Sequence, residues 1–145
     1  MEILTHSEME TEAVARKFAL DLKGGDVVLL HGDLGAGKSV FCRRLIRSLC
    51  GDDGMEVPSP TFTLVQTYEA ALDGADVLIW HFDLYRLWDA SEIYEIGWEE
   101  AVAGGIVLVE WPERLGGLLP ARRIDVFLGP VADRLDARMI RVERT

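Results

Sequence analysis

The segment Gly32-Asp33-Leu34-Gly35-Ala36-Gly37-Lys38-Ser39 has the pattern GxxxxGK[ST] and sits directly after an apolar run, Val27-Val28-Leu29-Leu30. Each fixed position has a chemical use. Glycines reach backbone conformations that turn successive N–H groups toward one anion. The helix that follows adds the positive end of its dipole. Lys38 reaches terminal phosphates, and the Ser39 hydroxyl suits Mg²⁺, a hard cation that prefers oxygen ligands. The loop therefore predicts a phosphate ligand, in the first place a nucleoside triphosphate bound with Mg²⁺.

A triphosphate site also needs an acid at the C-terminal end of a neighbouring strand, to hold the metal or its waters. Two acids qualify. Asp83 closes Val77-Leu78-Ile79-Trp80-His81-Phe82, and Glu110 closes Ile106-Val107-Leu108-Val109. Both emerge at the sheet edge where open α/β sheets bind ligands, and spacing alone does not rank them. Between the loop helix and the next strand lies Ser59-Pro60-Thr61-Phe62-Thr63. Its hydroxyls have two readings: a segment that reaches the γ-phosphate and Mg²⁺, or a rigid proline-containing connection. His31 and His81 read first as packing or hydrogen-bonding residues, and Trp80, Trp88, Trp98 and Trp111 as core or interface residues, with stacking on a base as the alternative. Arg86 reads as the partner of an acid, since acids outnumber bases 25 to 15.

These groups need a scaffold. Ser7 and Glu10 have capping-box spacing, and Val14, Phe18 and Leu22 recur as one helical stripe that closes at Lys23-Gly24-Gly25. The apolar run at Val27 is a buried strand. After the loop, Val40, Phe41, Leu45, Ile46 and Leu49 form a second helical stripe, closed by Gly51. Phe62 to Tyr68 and Val77 to Phe82 have strand character around an Asp73-Gly74 turn, which makes a hairpin. Leu84 to Ala103 is helical and broken at Gly97, and Ile106 to Val109 is another buried strand. The tail alternates over Ile124, Val126 and Leu128, breaks at Gly129-Pro130 and resumes at Leu135, which predicts an antiparallel hairpin at a sheet edge. Strands and helices in this order describe an α/β fold over residues 1–145: one P-loop NTPase-like domain, with a mixed, mostly parallel sheet flanked by helices and antiparallel hairpins at its edges.

Composition limits the partners. The chain has 145 residues, a net charge of −10 and no Cys/His metal spacing. Such a surface repels phosphate backbones, so stable nucleic-acid binding by this chain alone is not expected. Its apolar runs are strand-length, which predicts no membrane span. Cys42 and Cys50 are too far apart along one helix for a disulfide. With no basic, apolar leader at Met1 to Glu8, a reducing cytoplasm is the expected location.

Four segments taken together are more specific than the loop. They are the loop itself, Ser59-Pro60-Thr61-Phe62-Thr63-Leu64-Val65, His81-Phe82-Asp83-Leu84-Tyr85-Arg86-Leu87 and Val109-Glu110-Trp111-Pro112. Their order and spacing resemble the TsaE (YjeE) family of small bacterial P-loop ATPases. The resemblance implies a role in tRNA threonylcarbamoyladenosine synthesis beside TsaD and TsaB, with tRNA met only through that complex. It implies ATP hydrolysis without formation of the modification itself. It implies that Leu34, Gly35, Ala36, Gly37, Lys38 and Ser39 hold phosphates, that Ser39 and Glu110 contact Mg²⁺, and that Asp83 lies beside the metal and the attacking water. Thr61 would belong to a switch-like segment, and the stretch around Thr11 would lie near the adenine. Two other readings of the same loop are a small-molecule kinase, which would need an Arg-rich lid, and a nucleotide-dependent adaptor that does not hydrolyse ATP.

Overall fold

The computed structural model describes residues 1–33 and 35–145. Its seven strands form one sheet in the order β1-β7-β6-β2-β5-β4-β3. They are β1 (Glu2–Thr5), β2 (Val27–His31), β3 (Val65–Leu72), β4 (Ala75–Asp83), β5 (Ile106–Glu110), β6 (Ile124–Val131) and β7 (Arg134–Arg144). The helices are α1 (Glu8–Ala19), α2 (Lys38–Cys50) and α3 (Trp98–Gly104), with 3-10 segments at Ala90–Ile96 and Pro112–Leu118. The expected mixed sheet is present: β6, β2, β5 and β4 run parallel to one another, and β1, β3 and β7 are antiparallel to their neighbours.

Both faces of the sheet are covered, which is why its central strands are continuous apolar runs rather than alternating ones. Val28, Leu30, Ile106 and Leu108 pack with Phe41, Leu45 and Ile46 of α2 and Phe18 of α1. Val27, Leu29, Val107 and Val109 point the other way, onto Trp98 and Ala101 of α3 and Leu115. With two apolar layers gripping β2, β4 and β5, the C-terminal ends of these strands are held in fixed register, Leu30 beside Glu110 and Glu110 beside Asp83.

Several local expectations hold. Ser7 caps α1 by accepting the Glu10 N–H at 3.1 Å. Asp73 (φ 51°) and Gly74 (φ 80°) close the β3–β4 hairpin, the paired positive φ angles of a tight two-residue turn. Gly51 ends α2 in the left-handed conformation. Gly97 (φ 96°) separates the Ala90–Ile96 segment from α3.

Others are corrected. The first helix stops at Ala19 instead of Gly25, because Leu20, Asp21 and Leu22 donate to Lys17, Phe18 and Ala19 and wind the chain into tighter turns. β3 starts at Val65 and not at Phe62, since Leu64 adopts φ 69° and donates to the Pro60 carbonyl at 2.6 Å. Leu84 to Asp89 is not helical. Leu84 N–H donates instead to the Glu110 carbonyl, and the Asp83 carboxylate accepts the Tyr85 N–H. The tail hairpin does not break at Gly129-Pro130; it turns at Asp133 (φ 63°). Pro130 is tolerated inside β6 because the pairing with β2 has already ended at Phe127, so its missing N–H costs no ladder bond on that side. Nor is this hairpin at the sheet edge. The short strand β1, which the sequence reading missed, pairs with β7 and covers it.

Gly32 shows how closely the glycine-rich loop approaches the sheet. Its φ is +152°, and an added Cβ would lie 2.6 Å from the Leu128 carbonyl oxygen and 3.0 Å from the Ala36 Cβ. Gly32→Ala must therefore move backbone on β6. We expect it to destabilise the fold by about 1–3 kcal/mol, read as a lower urea midpoint at unchanged slope.

Candidate nucleotide site at the C-terminal edge of the sheet

The loop leaves β2 at Gly32 and enters α2 through Gly37 (φ 99°), with Gly35 also in the left-handed region (φ 80°). The loop is held from the side by Arg138 on β7, whose Nε donates to the Ala36 carbonyl at 3.0 Å and whose second guanidinium nitrogen donates to the Gly35 carbonyl at 3.1 Å. A trans peptide sets the Gly37 N–H opposite the Ala36 carbonyl, so this clamp turns that N–H away from Arg138. Leu34 lies outside the described residues.

Lys38 is the first residue of α2 and only 6% exposed. Its Nζ lies 3.5 Å from the centroid of the Trp111 ring and has no hydrogen-bond partner among the described residues. Burial pushes the Lys38 pKa down from its ordinary 10.5, opposed by the carboxylates of Glu110, Glu113, Asp83 and Asp33. A buried ammonium resting on an indole face, short of acceptors, fits an anionic oxygen brought from outside. The residues present therefore suit a phosphate ligand.

Asp83 and Glu110 are Cα partners at the ends of β4 and β5, each 4% exposed. Their neighbours distinguish them. Asp83 Oδ2 accepts the Thr61 hydroxyl at 3.0 Å and lies 3.5 Å from the Ser59 hydroxyl, while Oδ1 accepts the Tyr85 N–H at 3.1 Å. Asp83 also donates its own N–H to the Leu64 carbonyl at 2.9 Å. It thus ties the segment 59–64 to β4. Among the described residues the Glu110 side chain makes one hydrogen bond, to His81 Nε2 at 2.7 Å, and is the less committed of the two carboxylates.

Lys38, Ser39, Ser59, Thr61, Asp83, Glu110 and Trp111 surround one cleft of about 410 Å³, a size that accommodates a small ligand. Thr11 is not brought to it. Thr11 is 2% exposed and bonds the Thr5 hydroxyl at 2.7 Å, beneath the β1–β7 pairing. Arg86 forms no ion pair with a described residue, contrary to expectation; its guanidinium lies 4.4 Å from the Phe62 ring centroid.

Sequence reasoning missed three participants. Arg138 belongs to a tail without a usable motif, and only the sheet brings it back to the loop. His81 reads as a packing or hydrogen-bonding residue, and the sequence does not show that its partner is Glu110. Trp111 was read as a core or interface residue and stands over Lys38. It adopts φ 60°, ψ 52° just after Glu110 and before Pro112, and a bulky residue in that conformation stores strain of the kind found at ligand sites. Its place between a strand-end acid and a proline was the available signal.

Comparison with known proteins now bears on this cleft. The family model described as "Threonylcarbamoyl adenosine biosynthesis protein TsaE" matches residues 5–138. The chain belongs to the TsaE family. A relative from Rickettsia conorii, named tRNA threonylcarbamoyladenosine biosynthesis protein TsaE, is 48% identical over 123 residues, covering 85% of this chain and 67% of that protein. A protein of the same name from Bacillus subtilis is 38% identical over 127 residues, covering 86% and 74%. Among solved structures, Bacillus subtilis YdiB superposes with a TM-score of 0.72 at 31% identity, covering 97% of this chain and 82% of that one. The TsaE membership drawn from the four sequence segments therefore holds, and all four converge on the cleft. Among the described residues no helix is long and apolar enough to cross a membrane.

Proposed function

We propose that this chain binds ATP with Mg²⁺ in the cleft and hydrolyses it in the service of tRNA threonylcarbamoyladenosine synthesis, acting with TsaD and TsaB and not forming the modification itself. The observation that carries this reading is the Nζ of Lys38, without a hydrogen-bond partner among the described residues and buried at the start of α2 between the glycine loop and the two carboxylates.

Each residue then has a task. Backbone N–H groups of the loop and the N-terminus of α2 bind the phosphates. Lys38 balances charge on the outer phosphates. The Ser39 hydroxyl and the Glu110 carboxylate would hold Mg²⁺, which when bound neutralises phosphate oxygens. Asp83, fixed by Thr61 and Ser59, orients the attacking water and takes up its proton. Trp111 and Tyr85, whose rings are 5.0 Å apart, screen the Lys38 side of the cleft from bulk water. A kinase would bring several arginines over the phosphates. Among the described residues the cleft lining holds one, Arg138, and its guanidinium is already engaged by backbone carbonyls.

The net charge of −10 supports docking on protein rather than on tRNA. The test is phosphate release from ATP by the chain alone and with TsaB and TsaD, with Mg²⁺ and with chelator. Slow release alone and faster release in the assembly are expected. An assembly of folded, active proteins that gives no stimulation would sink the partner-dependent reading.

A further inference from the structure

His81 has no task in the chemistry just described, yet it is 3% exposed and lies against the site. Along β4, Ile79, His81 and Asp83 share a face of the sheet, as Ile106, Leu108 and Glu110 do along β5. That face carries α1 and α2. Helix α2 supplies Cys42 above it. His81 Nε2 lies 2.7 Å from Glu110 Oε2 and 3.3 Å from Cys42 Sγ, and no other described residue contacts the ring through a hydrogen bond. His81 Nδ1 is buried without a partner among the described residues, so a proton on it would be a donor lacking an acceptor. The ring proton therefore belongs on Nε2. It faces two acceptors, and the carboxylate is both closer and charged. Burial and the nearby Glu110 and Asp83 carboxylates keep Cys42 a thiol, a weak acceptor.

This bond has a directional consequence. It commits Oε2 of Glu110 to the interior and leaves the second carboxylate oxygen for the cleft. We propose that His81 is a positioning residue: its Nε2–H fixes the Glu110 side chain so that Glu110 presents one oxygen to a divalent cation in the cleft. The proposal rests on the reading of Glu110 as a metal-holding residue. Partners of this kind behind a metal ligand typically set about 10- to 100-fold in metal affinity.

The variants are His81→Phe, which keeps an aromatic ring and removes the donor, and His81→Gln, whose amide restores one. Mn²⁺ is the probe, titrated by electron paramagnetic resonance into the full chain with adenylyl imidodiphosphate, a non-hydrolysable ATP analogue. Binding of the analogue in chelator and the thermal midpoint are measured in parallel. Nucleotide-dependent Mn²⁺ affinity should fall about 10- to 100-fold in His81→Phe and recover in His81→Gln, with analogue binding in chelator unchanged. A lowered thermal midpoint with wild-type Mn²⁺ affinity would overturn the proposal and make His81 a packing residue only. Should His81→Phe fail to fold, His81→Asn, too short to reach Glu110, takes its place against His81→Gln. Wild-type chain that binds the analogue without taking up Mn²⁺ would overturn the metal reading of the cleft and this proposal with it. Wild-type Mn²⁺ binding that Glu110→Gln abolishes and both His81 variants leave intact would overturn the positioning role alone.

Discussion

Lys38→Met is expected to lower ATP hydrolysis about 10²- to 10³-fold while making the folded chain more stable. The two effects have one cause. Lys38 is 6% exposed and its ammonium has no acceptor among the described residues, so the fold carries a desolvated charge whose use, on the proposed reading, is deferred until a phosphate arrives. Methionine keeps an unbranched apolar stem beside Trp111 and removes the charge. Sites of this kind trade stability for activity. The pH dependence follows from the sign of the shift. Burial lowers the native Lys38 pKa below its ordinary 10.5. Between that lowered value and 10.5 the unfolded chain holds more protons than the folded one, so the Lys38 contribution to stability rises with pH. Below the window the cost of the buried charge is fully present. The advantage of Lys38→Met should therefore be greatest at neutral pH and shrink as pH approaches the unfolded value. Urea denaturation of both proteins across this range checks it. A variant less stable than wild type at neutral pH would show that the ammonium is satisfied in the free protein.

Glu110→Gln should also lower hydrolysis by about 10²-fold or more, for a different reason and with a different signature. The amide oxygen still accepts the His81 N–H, so the fold is expected to survive with a near-wild-type thermal midpoint. What is lost is a negative charge facing the cleft. Nucleotide binding in chelator should persist, while the Mg²⁺ requirement disappears with the turnover. Combining it with Lys38→Met should cost much less than the product of the single effects, since both residues serve one step. Phosphate release and metal titration separate the outcomes. Full activity in Glu110→Gln, with activity lost in Asp83→Asn, would transfer the metal role to Asp83.

The separation between the two acids shows where sequence reasoning stopped. Asp83 and Glu110 both follow apolar runs, so both were legible as strand-end acids, yet nothing local ranked them. What distinguishes their surroundings comes from neighbours distant in the chain. Thr61 and Ser59 occupy the Asp83 carboxylate, whereas among the described residues the Glu110 carboxylate is hydrogen-bonded only by His81. These contacts exist because β4 and β5 pair in parallel and α2 covers one face, and none of that pairing is written in any one segment.

The sequence by itself determined the glycine-rich loop between β2 and α2, the capping of α1 by Ser7, the β3–β4 turn and the apolar central strands. Those features depend on backbone permissiveness and local periodicity, which act over a few residues. It also determined the family, through four short segments whose order and spacing are one-dimensional facts. Only the tertiary structure decided that Thr11 is buried behind β1, that Arg138 returns from the last strand to clamp the loop, and that Trp111 stands over Lys38. Burial and long-range hydrogen bonds depend on which strands become neighbours. That choice is made by packing the whole apolar sheet between two layers, a property of the folded chain and of no single stretch within it.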